Sequence, residues 1–431
     1  MKNKIVSIFC IFLSLQVFSQ NPTLWHDAWG PNYRHLNGVE ILANNKFIAV
    51  GGWPSNDSIA TILVSNDTAA SWNFVMDAID GWLMDVDFPS ETTGYVVGTA
   101  GSILKSVDEG DSWTQSVLPG NVESRDYNGC HFFDADNGIV VGGWHSNDSV
   151  QTILKTSNGG ENWTVIQDIL APWLRAVHFI DNSIGFTVGD DGTILKTNDG
   201  GDNWYALPVS GAIASRQFND VHFVDANVGV AIGGWSENDS IQTIIRTTNG
   251  GENWSIITDN IGSMLNAVDF YNATDGYAVG DDGVIYFTND AGATWSEQII
   301  PNNNQWGIQD VFFRDEHFGF TAGDEGKLLW YVDPSGTTLD SETSFSQTSI
   351  FNNLVLFPNP THGQITLQFD QNPQNKIIVR VCDIMGKTIH SSSNYLNSNL
   401  LNIDISGFPQ QLYFINVVSG DMSSTYKTIL K

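Results

Sequence analysis

Residues 193–204 read TILKTNDGGDNW, and this stretch decides the fold because it recurs along most of the chain. Similar stretches are SILKSVDEGDSW at 102–113, TILKTSNGGENW at 152–163 and TIIRTTNGGENW at 243–254. Each begins with an apolar run typical of a β-strand, continues into a turn and ends at a tryptophan that starts another strand. Six copies are present, ending at Trp72, Trp113, Trp163, Trp204, Trp254 and Trp295. The stretch is therefore one part of a repeating β unit.

A further apolar strand, which we call strand one, opens each unit. Seven such strands occur, beginning at Val39, Val86, Cys130, Val177, Val221, Val268 and Val311, with a spacing of 43 to 47 residues. A unit of this length holds four short antiparallel strands, and seven units can pack radially so that few sheet edges stay free. We therefore predict an all-β chain with a seven-bladed β-propeller over residues 21–333.

The seventh unit is incomplete, because it stops after its third strand at 327–332 and lacks the turn and its tryptophan. Residues 24–29, LWHDAW, lie ahead of the first unit and have the pattern of a strand. We predict that this segment is the fourth strand of blade seven and closes the ring.

The turn resembles the Asp-box, or BNR, motif S/T-x-D-x-G-x-x-W. Ser106, Asp108, Gly110 and Trp113 match every position, as do the equivalent residues of 197–204. Together with the preceding strand, the units resemble the photosystem II assembly-factor type of BNR propeller over residues 21 to about 333. The resemblance implies the fold and leaves the function open, because Asp-box propellers include sialidases, xyloglucan hydrolases, sorting receptors and assembly factors.

Composition and charge narrow the function. With 41% hydrophobic and 15% charged residues the chain is globular, and 18 Lys and Arg against 48 Asp and Glu give a net charge of −30. This balance argues against nucleic-acid partners, which require clustered basic residues. Lys2 and Lys4 precede an apolar run at 5–18, so we predict a signal peptide at 1–20. No later run is long enough to span a bilayer, and we predict no transmembrane segment and no cofactor.

The C-terminal part differs from the propeller. Residues 334–352 are rich in Ser, Thr and Asn and are predicted to be a linker, and short alternating strands at 353–431 predict a small β-sandwich. FPNP at 357–360, DIMGK at 383–387, LYF at 412–414 and KTILK at 427–431 resemble the type A sorting domain of the type IX secretion system. The one departure is Gln411, where the family usually has glycine. The resemblance implies the type IX machinery as a partner and passage through the periplasm to secretion or the outer cell surface.

The most informative residues gather at one end of the propeller, which we call the first face. It is formed by the residues that lead into strand one and by the loops between strands two and three, since strands alternate in direction. A 91-residue period, two units long, places Arg34, Arg125 and Arg216 there with Trp53, Trp144 and Trp235. The other predicted ligand-binding residues on this face are Trp82, Trp173, Trp306, Asp190 and Asp281.

Two interpretations of the first face are open. Duplication of a two-blade unit could have copied structural residues, with arginines bonded to loops and tryptophans covering blade tops. Alternatively, exposed indoles stack on a glycan or on protein side chains while charged groups orient the ligand. We predict a secreted or cell-surface binding propeller whose ligand is a glycan or a protein, and an adhesion or interaction scaffold is a third possibility. Exposure of the tryptophans would favour a ligand.

A glycoside hydrolase, sialidase-like or xyloglucanase-like, is the alternative function. Three arginines suggest a sialidase, but no Arg-Ile-Pro motif occurs and a spread around the ring holds the guanidinium groups apart. Convergent carboxyl groups in a first-face pocket would favour this alternative. We predict no catalytic residues and no enzyme.

Metal sites are not predicted either. His131, His178 and His222 occupy equivalent positions, but we expect neighbouring blades to hold them too far apart for one zinc ion. No calcium loop of the D-x-D-x-D-G type is present.

Overall fold

The structure of the protein is a computed structural model that describes the propeller and C-terminal strands with several gaps. The described residues are 25–29, 34–52, 60–66, 69, 71–76, 81–144, 149–236, 239–298, 306–316, 318–332, 355–357, 361, 363–369, 376–382, 388–394, 399–408, 412–419 and 422–430. The predicted signal peptide at 1–20, the predicted linker at 334–352 and Trp53 lie outside them.

Seven four-stranded antiparallel sheets form the seven blades of a propeller, as the repeat predicts. The strands of the first four blades are β1 (Trp25–Trp29), which joins blade seven, then β2 (Leu36–Ile41), β3 (Phe47–Gly52), β4 (Ala60–Ser65), β5 (Asn73–Met76), β6 (Leu83–Asp87), β7 (Gly94–Gly98), β8 (Ile103–Ser106), β9 (Thr114–Gln115), β10 (Asp126–Phe132), β11 (Gly138–Trp144), β12 (Val150–Thr156), β13 (Thr164–Leu170), β14 (Leu174–Phe179), β15 (Gly185–Gly189), β16 (Ile194–Thr197) and β17 (Tyr205–Ala206). The last three blades contain β18 (Phe218–Phe223), β19 (Gly229–Ser236), β20 (Asp239–Thr247), β21 (Ser255–Ile261), β22 (Leu265–Phe270), β23 (Gly276–Gly280), β24 (Ile285–Thr288), β25 (Ser296–Glu297), β26 (Ile308–Asp315), β27 (Phe318–Gly323) and β28 (Lys327–Val332).

Blade length alternates along the ring. The outer strands β13 and β21 of blades three and five have seven residues, whereas β9, β17 and β25 of blades two, four and six have two. Blades one, three and five are the long blades, with more residues between strands two and three, and blades two, four, six and seven are the short ones. Because seven is odd, blades six and seven are two short blades side by side.

The N-terminal strand closes the ring, as the incomplete seventh unit predicts. β1 pairs antiparallel with β28 over five positions, from Trp25 opposite Tyr331 to Trp29 opposite Lys327. The order of this sheet is β1-β28-β27-β26, so blade seven combines both ends of the propeller segment. This prediction is confirmed.

Aromatic packing between blades forms the propeller core. Phe132 of blade three stacks on Tyr95 of blade two with ring centroids 3.5 Å apart, and Phe223 stacks on Phe186 in the same way at 3.7 Å. The first residue of strand two lies under such a ring: a Cβ on Gly185 would come within 2.5 Å of Phe179. The repeated strand-start glycine is therefore required by close approach.

Carboxylates also join neighbouring blades at the innermost strands. Asp310 of blade seven accepts a hydrogen bond from the backbone N–H of Val39 in blade one, at 2.8 Å. Asp85 accepts a hydrogen bond from the backbone N–H of Cys130 in blade three at 2.8 Å, and Asp220 accepts one from the backbone N–H of Val268 in blade six at 2.8 Å. Each of these side chains satisfies a backbone donor of the next blade.

The C-terminal residues form two packed sheets, a small β-sandwich as predicted. Their strands are β29 (Val355–Phe357), β30 (Gln364–Gln368), β31 (Ile377–Cys382), β32 (Thr388–Asn394), β33 (Leu400–Asp404), β34 (Leu412–Ser419) and β35 (Met422–Ile429). The sheets have the orders β29-β30-β33 and β32-β31-β34-β35, and alternate residues such as Leu367, Val379 and Val417 fill the space between them. In the described residues, no helix has the length and apolarity needed to cross a membrane.

Candidate functional site

The two chain segments assigned to the first face meet through backbone hydrogen bonds. Asp190 N–H donates to the carbonyl of Trp173 at 3.1 Å, and Thr99 N–H donates to Trp82 at 2.8 Å. The same bond joins Asp281 to Met264 and Asp324 to Gly307, both at 2.9 Å. The loop between strands two and three therefore lies against the start of strand one in every short blade.

Two of the three predicted arginines bind a carboxylate of their own blade. Arg125 donates from Nε and Nη2 to the two oxygens of Asp168 at 3.2 and 3.1 Å, and Thr152 donates to the same carboxylate at 2.8 Å. Arg216 donates from Nε and Nη2 to the two oxygens of Asp259 at 2.8 and 3.1 Å, and Thr243 donates to the same carboxylate at 2.9 Å. These fork-shaped pairs join the start of strand one to the outer strand of the blade.

Arg34 occupies the equivalent position in blade one. It is buried, and its Nη1 donates to Thr61 at 2.6 Å. Asp77, which stands 91 residues before Asp168, lies outside the described residues. The 91-residue spacing of Asp168 and Asp259 in the sequence was a pattern that could have identified the arginine partners in advance.

The tryptophans of the first face differ in exposure. Trp82 and Trp306 are each 38% exposed, and Trp173 is partly buried. Trp144 is the last residue of β11, and Trp235 lies near the end of β19. The side chains of both tryptophans are outside the described part of the structure. Trp82 and Trp306 are thus the more exposed of the first-face tryptophans whose side chains are described.

Asp190 and Trp173 belong to one ion-pair cluster in blade four. Arg175 Nε donates to Asp190 Oδ1 at 2.6 Å, and the Trp173 indole N–H donates to the other carboxylate oxygen. The Arg175 guanidinium lies over the Trp173 ring, 4.7 Å from its centroid. Sequence reasoning missed Arg175, which follows Trp173 by two residues and supplies the cation for this loop.

Asp281 lies beside a second loop carboxylate, Asp324. A Cβ on Gly307 would lie 3.3 Å from Asp281 Oδ1 and 2.7 Å from Asp324 Oδ2, so both groups converge on this glycine. Asn266 donates to Asp281 at 3.0 Å, and His35 Nδ1 lies 2.7 Å from Asp324 Oδ1.

Electrostatics follow from this arrangement. Burial, together with the nearby Asp324 charge, raises the pKa of Asp281, and the Asn266 hydrogen bond partly opposes that shift. The hydrogen bond to Asp324 raises the pKa of His35.

The structure also corrects the predicted equivalence of the blades: Gly307, not Trp306, is equivalent to Trp173, and exposed Trp306 lies one residue earlier.

The innermost strands surround a central cavity of about 380 Å³. Burial raises the pKa of Asp85, Asp87, Asp269 and Asp310 to about 7 in each case, with backbone hydrogen bonds opposing the shift. Burial also raises the pKa of Glu40 and Asp220. The propeller axis thus carries carboxyl groups that resist ionisation.

Three histidines line the same cavity, and two of them lie closer together than the sequence led us to expect. The rings of His178 and His222 have centroids 4.4 Å apart, so neighbouring blades do bring these side chains close together. His178 Nε2 lies 3.2 Å from the Phe223 carbonyl oxygen, and burial lowers the pKa of His131 to about 3 and of His178 to about 4. Among the described residues, no group of three or more His, Cys, Asp or Glu side chains could hold a metal ion.

The Asp-box turns, on the opposite face, use their acidic groups internally. Asp199 accepts hydrogen bonds from Thr197 Oγ1 at 2.8 Å and from the Asn203 N–H at 2.9 Å, and the Asn203 bonds lower its pKa to about 2. The Trp204 indole N–H donates to Gly201 at 3.2 Å. The geometry gives these residues a role in shaping the turn.

We expect the propeller to melt at a higher temperature at pH 6 than at pH 8. A carboxyl group whose folded pKa lies above its unfolded value stabilises the fold at low pH, and this is lost as pH rises through about 7. The histidines act oppositely, because their folded pKa is lowered and stability is lost below about 6.5. The raised carboxyl groups outnumber them, so acidification should stabilise.

Thermal unfolding at constant ionic strength measures this effect. The double variant Asp269→Asn and Asp310→Asn should show a weaker pH dependence, because two of the titrating groups are removed. A melting temperature that is flat or falls between pH 8 and pH 6 would contradict the assignment.

Comparison with known families follows the two parts of the chain. The family described as photosynthesis system II assembly factor YCF48 matches residues 64–174, and the secretion system C-terminal sorting domain matches residues 355–431. The sorting domain is that of the type IX system, and it indicates secretion or exposure at the outer surface.

The propeller is similar in sequence and in fold to photosystem II assembly factors. The photosystem II assembly lipoprotein Ycf48 of Synechococcus sp. (strain CC9902) is 23% identical over 280 residues, which cover 62% of this chain and 78% of the relative. A structure described as YCF48 bound to D1 peptide superposes with a TM-score of 0.58 and 17% identity, covering 73% of this chain and 98% of the other. The structure of YCF48 from Cyanidioschyzon merolae superposes with a TM-score of 0.56 and 18% identity, covering 72% of this chain and 98% of the other. The chain is therefore a seven-bladed propeller of the Asp-box type, similar to photosystem II assembly factors, that carries a C-terminal sorting domain of the type IX secretion system.

Proposed function

We propose that the propeller is a secreted or cell-surface binding protein that recognises an exposed peptide segment of another protein through its first face. The observation that carries this proposal is the partial exposure of Trp82 and Trp306 on a face whose other loops are held by hydrogen bonds. An indole on a rigid support offers a large contact area at low cost in conformational entropy. The similar YCF48 propeller was solved with a D1 peptide bound, which supports a peptide as the ligand class.

The arginines have a supporting role in this proposal. Arg125 and Arg216 are engaged with Asp168 and Asp259, so they hold the long blades in shape. Contacts with ligand then fall to the short blades, where Trp82, Trp306, Asp281 and Asp324 lie. We further propose that residues 1–20 are removed on export and that 334–352 link the propeller to the sorting domain at 353–431.

Glycan hydrolysis is the second candidate, and one observation favours it. Asp281 and Asp324 converge beside Gly307, and a raised pKa on one of two neighbouring carboxyl groups is typical of glycosidases. Asp324 Oδ1, however, is already bound by His35 and by Gln309, the latter at 3.1 Å. A hydrolysis assay on a panel of extracellular glycans tests this candidate, and absence of turnover on the panel would remove it.

We expect the double variant Trp82→Ala and Trp306→Ala to lose most of its affinity for peptides selected on the full chain. Truncating an interface anchor weakens binding by about 1–3 kcal/mol, roughly 5- to 150-fold. Because both indoles are partly exposed, the melting temperature should change little. Peptides from a random display library, titrated against both proteins, provide the measurement.

A matched core variant separates binding from folding. Trp163 is 6% exposed, and Trp163→Ala should cost about 3–5 kcal/mol of stability. Unchanged affinity in the Trp82 and Trp306 double variant, with the fold intact, would contradict peptide binding at this face.

A further inference from the structure

Blades two and four are equivalent short blades, 91 residues apart in the sequence. Their third strands, β8 and β16, share one register, because Leu104 pairs with Gln115 in blade two and Leu195 pairs with Ala206 in blade four. In each blade the N–H of the loop glycine before this strand donates to the carbonyl of the arginine that leads into the next blade, at 2.7 Å. The residues of the two blades can therefore be compared one by one.

In blade two a side chain closes the space beside this loop. Gln115 reaches back from the outer strand β9, and its Nε2 donates to the carbonyl oxygen of Gly101 at 2.9 Å. Glu123 lies against the same glycine, since a Cβ on Gly101 would come within 1.9 Å of the Glu123 carbonyl oxygen. The loop carbonyl of blade two thus has a hydrogen-bond donor from its own blade.

Blade four has smaller residues at both positions, and a cavity lies there. Ala206 stands where blade two has Gln115. Ala214 stands where blade two has Glu123. Both alanines line a cavity of about 310 Å³, which is also lined by the buried Gly192. Among the described residues, no donor reaches the Gly192 carbonyl oxygen, so the cavity offers an unsatisfied acceptor to a ligand.

Blade six shows which kind of group fits beside the floor of this cavity. Tyr286 holds the position of Leu195, because each follows the isoleucine that pairs with a valine of strand two. The Tyr286 hydroxyl donates to Oε1 of Gln242 in blade five at 3.4 Å. Gln242 is equivalent to Gln151, which is buried and lines the blade-four cavity together with Leu195. A phenol ring thus spans in blade six the place that the shorter Leu195 leaves open in blade four.

We propose that the blade-four cavity binds a tyrosine side chain of the partner peptide. The ring lies over Leu195 and against the two alanines, and the phenol hydroxyl donates to the Gly192 carbonyl. Phenylalanine has no donor for this carbonyl, so tyrosine is preferred. The cavity belongs to the first face, because Gly192 lies in the loop between strands two and three. This inference rests on the proposed peptide-binding function and names a residue type that the first face recognises.

Saturation-transfer NMR on the full chain with p-cresol, the tyrosine side chain alone, tests the cavity directly. Toluene, which lacks the hydroxyl, should bind about 5-fold more weakly, because the Gly192 carbonyl then stays without a donor. Toluene is the more apolar molecule, so non-specific hydrophobic binding would give the opposite order. Acetyl-Gly-Tyr-Gly-amide and its phenylalanine analogue should show the same preference. Equal binding of p-cresol and toluene, or no binding of p-cresol, overturns the proposal.

Two variants introduce the side chains that occupy this place in the other short blades. Ala206→Gln supplies the amide of blade two, and Leu195→Tyr supplies the ring of blade six. Each should weaken binding of p-cresol and of the tyrosine peptide about 10-fold or more without lowering the melting temperature. Leu195 is only 7% exposed whereas Ala206 is exposed, so Ala206→Gln keeps the test independent of core packing. Retained binding in a folded Ala206→Gln chain overturns the proposal.

A matched control adds the same side chain elsewhere. Ala273 is exposed in a turn of the opposite face, so Ala273→Gln should leave the affinity for p-cresol within about 2-fold. An equal loss of binding in Ala273→Gln and Ala206→Gln would overturn the assignment to blade four.

The outcomes separate this cavity from the proposed function. If p-cresol binds the native chain and not Ala206→Gln, while display selection yields no peptide ligand, the phenol site stands and peptide recognition fails. If the selected peptides lack tyrosine and depend on Trp82 and Trp306, peptide recognition stands and the tyrosine site fails.

Discussion

A chain lacking residues 21–30 should melt at a temperature roughly 6–12 °C below that of the full chain. β1 is the fourth strand of blade seven and pairs with β28 over five positions. Its removal leaves a six-residue edge that carries Leu329, Trp330 and Tyr331, all of which are buried in the closed ring. Cross-strand pairs contribute about 0.2–1 kcal/mol each, so a loss near 3 kcal/mol is expected, and each kcal/mol moves the melting temperature by about 2–4 °C.

The deletion also exposes a flat apolar strand edge, which favours association between chains. Calorimetry and light scattering measure both effects. A chain that lacks ten residues of the 334–352 segment is the matched control, because it is shortened equally without touching blade seven. Equal melting temperatures of the 21–30 deletion and the full chain would contradict ring closure by β1.

Replacement of Arg216 by alanine should lower the free energy of unfolding by about 2–4 kcal/mol at neutral pH. Arg216 and Asp259 are 14% and 11% exposed, so the variant leaves a nearly buried carboxylate without its cation. The hydrogen bond from Arg216 holds the pKa of Asp259 below its usual value. The stabilisation that the ionised Asp259 gains from Arg216 is present above pH 3.8 and is lost on acidification. The difference in unfolding free energy between the native chain and the variant should therefore shrink towards pH 3.

Denaturant unfolding measures the loss, and two further variants define its origin. Arg125→Ala should behave alike, because Asp168 and Thr152 repeat the arrangement in blade three. Arg216→Met combined with Asp259→Leu should recover at least half of the loss, since no buried charge remains unpaired. If Arg216→Ala instead keeps full stability and loses only ligand binding, the arginine belongs to the ligand site.

The fold was predictable because its determinants are local and repeated. The strand-turn-Trp stretch at 193–204 carries the apolar run, the turn residues and the aromatic anchor within twelve positions, and it recurs at a constant period. The closing strand could be inferred by counting strands in the seventh unit, which is also a property of the linear sequence. The sandwich followed from alternating residues in short strands, such as 364–369.

The site was less predictable because it depends on contacts between distant segments. His35 and Asp324 are 289 residues apart and meet only when the ring closes. The pairing of Arg125 with Asp168 joins the first and last strands of a blade and was not predicted, although the 91-residue spacing of Asp168 and Asp259 could have indicated it. The distance between His178 and His222 depends on how far side chains reach across the channel, which a linear repeat does not contain.

An odd blade number has a consequence for how such a protein can acquire a function. A two-blade module can be copied indefinitely, but it cannot tile a ring of seven, so one boundary joins two units of the same kind. That boundary is the only place where the duplicated pattern meets itself out of phase. Substitutions at this boundary need not preserve the alternating pattern of the other blades. A site that occurs only once can therefore arise on a body that is otherwise nearly symmetric. The odd blade number therefore makes the boundary of blades six and seven the one position at which the alternation of long and short blades is broken.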